Sequence, residues 1–574
     1  MKLTHSLMHL LTRALTHSFT YSITFLTICF RASRAARKLQ SANNLRERIW
    51  LRCRRAGEKR SISALGCARN VTKLISSVHI LAVIVVTSGI ARGQDPKSEK
   101  PGETKPAKSE IVQTTHSVTI NGKAIRYQAT AGTLPLKEED GKVTANVFFV
   151  AYTKMEEKPE KRPITFTFNG GPGSSSVWLH MGAFGPMRVA MTEEGDPLPP
   201  PVRLVENDLS ILDLTDLVFI DPVTTGFSRP AAGTEAKRFH GVEQDIQSVG
   251  EFIRLYTTRY QRWGSPKFVA GESYGTTRAS ALSGYLQDRL GMNLNGVILI
   301  SAVLNFATIR FDEGNDLPFV LFLPSYAATA WYHKKLPEDL QKDLHATLHE
   351  AKKFAEEEYA TALLKGDKVP PSEQKQIAAK LARFTGLSEQ YVEGTNLRIE
   401  IMRFTKELLR SERRTVGRFD SRLKGIDTDA AGERHEYDPS YAAVLGTYTA
   451  GFNEYIRHDL KYESDLPYEI LTGKVQPWDF GNAKNRYLDV APTLAQAMTK
   501  NRNLKLFVAS GYYDLATPFF ATDYTRNHLH LEDPLAKNIT ATYYEAGHMM
   551  YIQKMSHVKL KKDLAKFYEE ALSH

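Results

Sequence analysis

Cysteine is nearly absent from this chain. There are three in 574 residues, Cys29, Cys53 and Cys67, and none from residue 71 onward. The body therefore has no disulfide, no thiolate metal site and no cysteine nucleophile. The body also lacks an excess of charge of one sign. The formal +11 arises in residues 1–93, where 16 Lys and Arg face two acids, Glu47 and Glu58, and the remainder is three charges negative. A near-neutral body gives nucleic acid no electrostatic foothold. No H-E-x-x-H, paired C-x-x-C or acidic calcium loop occurs, so neither a metal nor a cofactor is implied. Internal repeats and low-complexity tracts are missing, and 42% hydrophobic with 24% charged residues is an ordinary globular composition. The length suggests two or more compact units.

The basic front reads as targeting sequence. Residues 73–93, KLISSVHILAVIVVTSGIARG, join a lysine to an apolar run near Leu74–Val86 and then to small residues. That is a secretory signal pattern, too short and interrupted for a membrane span, so export is expected, periplasmic or secreted, with no membrane span in the mature form. Because such signals open a chain, translation is expected to start near Val71, with residues 1–70 an over-extended start. The competing reading is an N-terminal anchor over Tyr21–Phe30. Residues 94–115, rich in Pro, Lys, Glu and Ser, read as a solvated linker.

From residue 116 the pattern alternates strands and helices. Strand-like runs occur at 145–154, 163–171, 217–221, 267–271, 296–303 and 504–511, and Asn121–Gly122 marks a hairpin. Most are continuous apolar runs, as buried strands of a mostly parallel sheet require. A helix with Val242, Ile246, Val249 and Ile253 on one face precedes the run at 267, and another over 276–290 ends at Gly291, a C-cap residue. The fold class is α/β, a mostly parallel central sheet flanked by helices. Charged helical patterns dominate 309–475, which reads as a helical cap inserted between the sheet parts at 116–308 and 476–574.

The segment FVAGESYGTTRAS, residues 268–280, carries the chemistry. Gly271-Glu272-Ser273-Tyr274-Gly275 fits G-x-S-x-G, the strand-to-helix turn that exposes a nucleophilic serine, and its glycines leave room for the sharp turn. The pattern is weak alone, but here it stands after a β-run and before a helix. An elbow serine needs an acid and a base in the order Ser…Asp/Glu…His. Asp514 in ASGYYDLATP and His548 in YYEAGHMMY both follow strand-like runs, where α/β folds place their sites. The oxyanion donors are expected at the amides of Tyr274 and of Gly171, in the glycine-rich loop FNGGPGSSS. His180, near that loop, reads as packing, as do the aromatics of PSYAATAWYHKK (324–335).

NGGPGSSS, IDPVTTGFSRP, GESYG, the Asp of GYYD and the His of AGHMMY together resemble the serine carboxypeptidase family, in that family's order. The resemblance spans roughly 116–308 and 476–574, with a variable helical insertion between. It implies an α/β-hydrolase fold and an enzyme that removes C-terminal residues from peptides through an acyl-enzyme. It assigns Ser273 as nucleophile, His548 as base and Asp514 as its orienter, and it implies that Asn169 and Glu272 bind the free carboxylate of the substrate. An ionised Glu272 would repel that carboxylate, so a raised pKa is expected. Three family residues are replaced: the usual Trp by Thr167, the usual Glu by Ala183 and the usual Cys by Ser174. Two other functions use the same residues: an esterase or acyltransferase with the same triad, or a non-catalytic exported binding or scaffold protein.

Overall fold

The computed structural model describes residues 111–573. The expected signal at 73–93, the start near Val71 and the anchor at Tyr21–Phe30 lie outside the described residues, as does most of the expected linker. Among the described residues the main sheet has ten strands, nine of them in one row. The nine are β1 (Val112–Ile120), β2 (Lys123–Lys137), β3 (Val143–Lys154), β4 (Ile164–Phe168), β5 (Asp216–Ile220), β6 (Lys267–Ser273), β7 (Gly296–Ala302), β8 (Lys505–Gly511) and β9 (Ile539–Tyr544). β1 begins at Val112, so residues 112–115, expected as linker, belong to the sheet.

The spatial order is β1-β2-β3-β5-β4-β6-β7-β8-β9. β1, β2, β3 and β5 pair antiparallel, and every pair from β5 to β9 is parallel. A short strand, Arg229–Pro230, also pairs with β3. Asn121 and Gly122, at φ 50° and 72°, close the first hairpin, with Ile120 opposite Lys123. Two left-handed residues in sequence are what a two-residue hairpin turn needs.

The central strands are apolar on both faces because both faces are covered. Val269, Val297, Leu299 and Val508 pack with Phe252, Ile253 and Leu282. The alternate residues Phe268, Ala270, Ile298 and Phe507 pack with Phe567 and Tyr568. The covering helices include α1 (Val242–Arg259) and α2 (Tyr274–Leu290) on the first face. On α1, Val242, Val249 and Ile253 are buried, as the 3.6-residue period predicts. α2 ends at Gly291 in the left-handed conformation, as expected, but starts at Tyr274 rather than 276, directly after the serine.

The inserted segment is helical but not uniform. α3 (Leu317–Tyr332) and the helices Leu344–Phe354 and Pro371–Thr385 share a core of their own, which also takes in Tyr513, Leu515 and Phe519 of the sheet domain. α4 (Pro439–His458) instead packs into the sheet-domain core, where Val444, Tyr448 and Phe452 cluster with Trp178 and Phe219. The chain ends in α5 (Lys554–Leu572), which lies on the second face. No helix among the described residues is long and apolar enough to cross a membrane.

Candidate active site

β6 turns into α2 at Ser273, whose φ of 60° and ψ of −130° no ordinary strand or helix residue adopts. Such a conformation costs about 1–3 kcal/mol and persists because neighbours enforce it. A Cβ on Gly271 would lie 2.0 Å from the Gly275 carbonyl oxygen, and one on Gly275 would lie 2.9 Å from that of Phe168. Both glycines are therefore required for the turn. The threonines after the elbow tie it to the end of β7: Thr276 Oγ1 accepts from the Val303 amide at 2.9 Å, and Thr277 Oγ1 donates to the Val303 carbonyl at 2.7 Å.

Asp514 follows β8 and His548 follows β9, so the parallel register brings both to the strand ends beside the elbow. His548 Nδ1 lies 2.8 Å from Asp514 Oδ2. A carboxylate only accepts, so Nδ1 carries the proton and Nε2 is left as the acceptor for a serine hydroxyl. Asp514 is buried completely and receives the Ala516 amide at 2.7 Å, the Thr517 amide at 3.0 Å and the Thr517 hydroxyl at 2.7 Å. Burial works against a charged His548, but the Asp514 charge and hydrogen bond, with help from Glu272, raise its pKa above the usual value. Ser273 and His548 line one cavity of about 360 Å³, together with Gly171, Tyr274, Asn169 and Glu272.

The glycine-rich loop lies against the elbow backbone, for a Cβ on Gly170 would fall 2.3 Å from the Tyr274 amide nitrogen. Gly171 has φ 103°, open to glycine and poorly tolerated by other residues. The Tyr274 amide opens α2, where no intrahelical partner exists. Arg278 holds this loop: it donates to the Asn169 carbonyl at 2.6 Å and pairs with Asp245 at 2.7 Å, all three buried.

Glu272 is 3% exposed and held from both sides. Asn169 Nδ2 donates to Oε1 at 3.0 Å, and the Tyr551 hydroxyl donates to Oε2 at 2.6 Å. Burial pushes its pKa up to about 7, with the Asp514 charge adding and His548, Tyr551 and Asn169 pulling back. The elevation is the one expected for a group that shares a proton with a carboxylate.

The serine carboxypeptidase family pattern matches residues 122–562. The chain belongs to the serine carboxypeptidase family. Serine carboxypeptidase-like 45 of Arabidopsis thaliana is 27% identical over 217 residues, 34% of this chain and 43% of that protein. Serine carboxypeptidase-like 46 of the same plant is 25% identical over 252 residues, 42% of this chain and 46% of that protein. The chain thus aligns with under half the length of these curated relatives. Among solved structures, Kex1Δp, a prohormone-processing carboxypeptidase from Saccharomyces cerevisiae, matches with a TM-score of 0.50 at 18% identity, over 77% of this chain and 92% of that one. That likeness bears on the fold alone, and with the sheet order it establishes an α/β-hydrolase fold.

In this member of the family the replaced positions have a structural counterpart. Thr167 is buried with its hydroxyl unpartnered, and the Ala183 carbonyl lies 3.1 Å from His557 Nε2. The bond to Glu272 comes instead from Tyr551, the last residue of AGHMMY, a role that sequence reasoning missed although the motif contained it. It also missed residues 418–421 of the insertion, which run between the two triad loops. There the Leu515 amide donates to the Arg418 carbonyl at 3.0 Å, the His548 amide to Phe419 at 2.6 Å, and the Ser421 amide to Tyr513 at 3.0 Å. His180 packs as expected: buried, stacked 4.3 Å from Phe219 and 2.6 Å from the Tyr152 hydroxyl, with burial lowering its pKa to about 3. In α3, Tyr326 stacks on Phe404 within the cap core at 4.0 Å, while Phe322 reaches the cavity.

Proposed function

We propose that the protein is a serine-type carboxypeptidase that removes C-terminal residues from peptides. Supporting this is the buried Glu272, whose pKa burial pushes up to about 7, next to Ser273 and lining the same cavity as His548. Ser273 attacks the scissile carbonyl as its hydroxyl proton passes to His548 Nε2, and Asp514 stabilises the imidazolium. The amides of Gly171 and Tyr274 receive the oxyanion. His548 then protonates the leaving amine as the C–N bond breaks, and a water, activated by the same imidazole, hydrolyses the acyl-enzyme on Ser273. Protonated Glu272 and Asn169 hold the free carboxylate of the departing residue. The basic, apolar stretch at 73–93 supports export through a signal peptide.

The absence of the usual Trp and Glu, with Thr167 and Ala183 in their places, favours as second reading an esterase or acyltransferase using the same triad. Incubation with a fluorophosphonate probe followed by N-blocked dipeptides separates the readings. Labelling at Ser273, lost in Ser273→Ala, with release of a free amino acid supports the carboxypeptidase. Labelling with ester but no peptide cleavage supports the esterase, and absence of labelling removes both.

A further inference from the structure

The catalytic cavity is lined mostly by apolar and aromatic residues, and two arginines stand among them: Arg310, just inside the insertion, and Arg418, from the segment between the triad loops. Among the described residues neither belongs to an ion pair; each lies over an aromatic ring instead. The Arg310 guanidinium is 5.8 Å from the centre of Phe306 and that of Arg418 is 4.6 Å from the centre of Phe419. Of the acids around Arg418, Asp420 is held by Arg422 at 3.0 and 2.7 Å. Asp438 accepts the Arg418 and Ser440 backbone amides through Oδ1 only, and it does not line the cavity. Glu272 is the one acid that lines the cavity, and its place is taken by Asn169 and Tyr551.

A peptide bound here therefore meets two positive charges that nothing else in the lining balances. The Phe419 ring lies 5.0 Å from the His548 ring, and Phe306 lies 6.5 Å from Tyr274, the residue after the nucleophile. Arg418 thus sits one aromatic ring away from His548, and Arg310 lies farther out, behind Phe306 and Tyr274, on the same cavity wall. The Arg418 charge also opposes protonation of His548, a cost that an acidic substrate group would offset. A guanidinium packed on a ring keeps its planar fork aimed and loses little freedom when it meets a carboxylate.

We propose that Arg310 and Arg418 make this cavity select peptides with an acidic side chain beside the scissile bond. The inference rests on the carboxypeptidase reading and deepens it to a substrate class. It is tested with N-blocked dipeptides, free at the C-terminus, that differ only as Glu against Gln at one position, the C-terminal or the penultimate. Glutamate should be preferred about tenfold in kcat/KM at one of the two positions, and the preference should shrink on raising salt, because Arg310 is exposed and Arg418 half-buried. Arg418→Gln and Arg310→Gln should each move that Glu/Gln ratio towards one. Equal rates for Glu and Gln at both positions overturn the proposal, as does a ratio left unaltered in both variants. If neither peptide is cleaved while Ser273 still takes the fluorophosphonate, the carboxypeptidase reading itself fails, and the inference with it.

Discussion

The Tyr551 hydroxyl and the Glu272 carboxyl, 279 residues apart in sequence, are joined by a buried 2.6 Å hydrogen bond at the wall of the catalytic cavity. That bond and the one from Asn169 favour the ionised carboxyl, while burial favours the neutral one and prevails, leaving a pKa of about 7. A carboxyl poised there is sensitive to each neighbour.

Removing the phenol should therefore move the balance in a known direction. Tyr551→Phe deletes a donor that favours the charged form, so the Glu272 pKa rises further. The alkaline limb of the KM profile for free-acid peptides should shift upward by about one to two units, since a hydrogen bond to a charged group contributes about 1.5–3 kcal/mol. Steady-state kinetics from pH 5 to 9 measures this. An unshifted limb would show that the Tyr551 bond does not set the titration.

The same titration enters stability. Glu272 has a folded-state pKa raised from 4.5 to about 7, so its neutral form favours folding, in full below the unfolded value. That contribution is lost as pH rises through about 7. Against wild type, Glu272→Gln should gain relative stability between pH 5 and 8, by up to ~3 kcal/mol at about 1.36 kcal/mol per unit. Urea unfolding midpoints at the two pH values give the difference, and parallel curves would contradict it.

Asp514→Asn should leave the fold in place and reduce kcat by about 10⁴ at neutral pH with KM little changed. An amide can donate to Nδ1 and so favours the wrong tautomer of His548. The variant's own pH profile should lose the limb assigned to His548, whose pKa is raised chiefly against burial by Asp514.

What was legible in the sequence is what local chemistry dictates. The elbow shows because Gly271, Ser273 and Gly275 must stand within five residues to make the turn. The buried strands show because cover on both faces leaves continuous apolar runs, and Asp514 shows because it follows such a run; His548 follows ITATYY, a half-buried edge strand that shows through its β-branched and aromatic residues. The contacts of Phe419 with His548 and of Tyr551 with Glu272 had no local signature. They arise where an inserted segment or a post-strand loop is folded back onto the elbow, and neither GRFDSRL nor AGHMMY carries a period or a turn that dictates its partner. The insertion likewise read as one helical block. Its division between a cap core and α4, which joins the sheet core through Val444 and Phe452, depends on where apolar faces find cover rather than on helical propensity.

In the proposed function Glu272 reads the free end of the peptide. The most direct test compares kcat/KM for an N-blocked dipeptide and its C-terminal amide, at pH 5 and pH 8, in wild type and Glu272→Gln. The wild type should strongly prefer the free acid at pH 5 and lose that preference at pH 8 through a rising KM, and Glu272→Gln should show a weaker preference that no longer changes with pH. Equal cleavage of acid and amide by the wild type at pH 5 would contradict that role of Glu272.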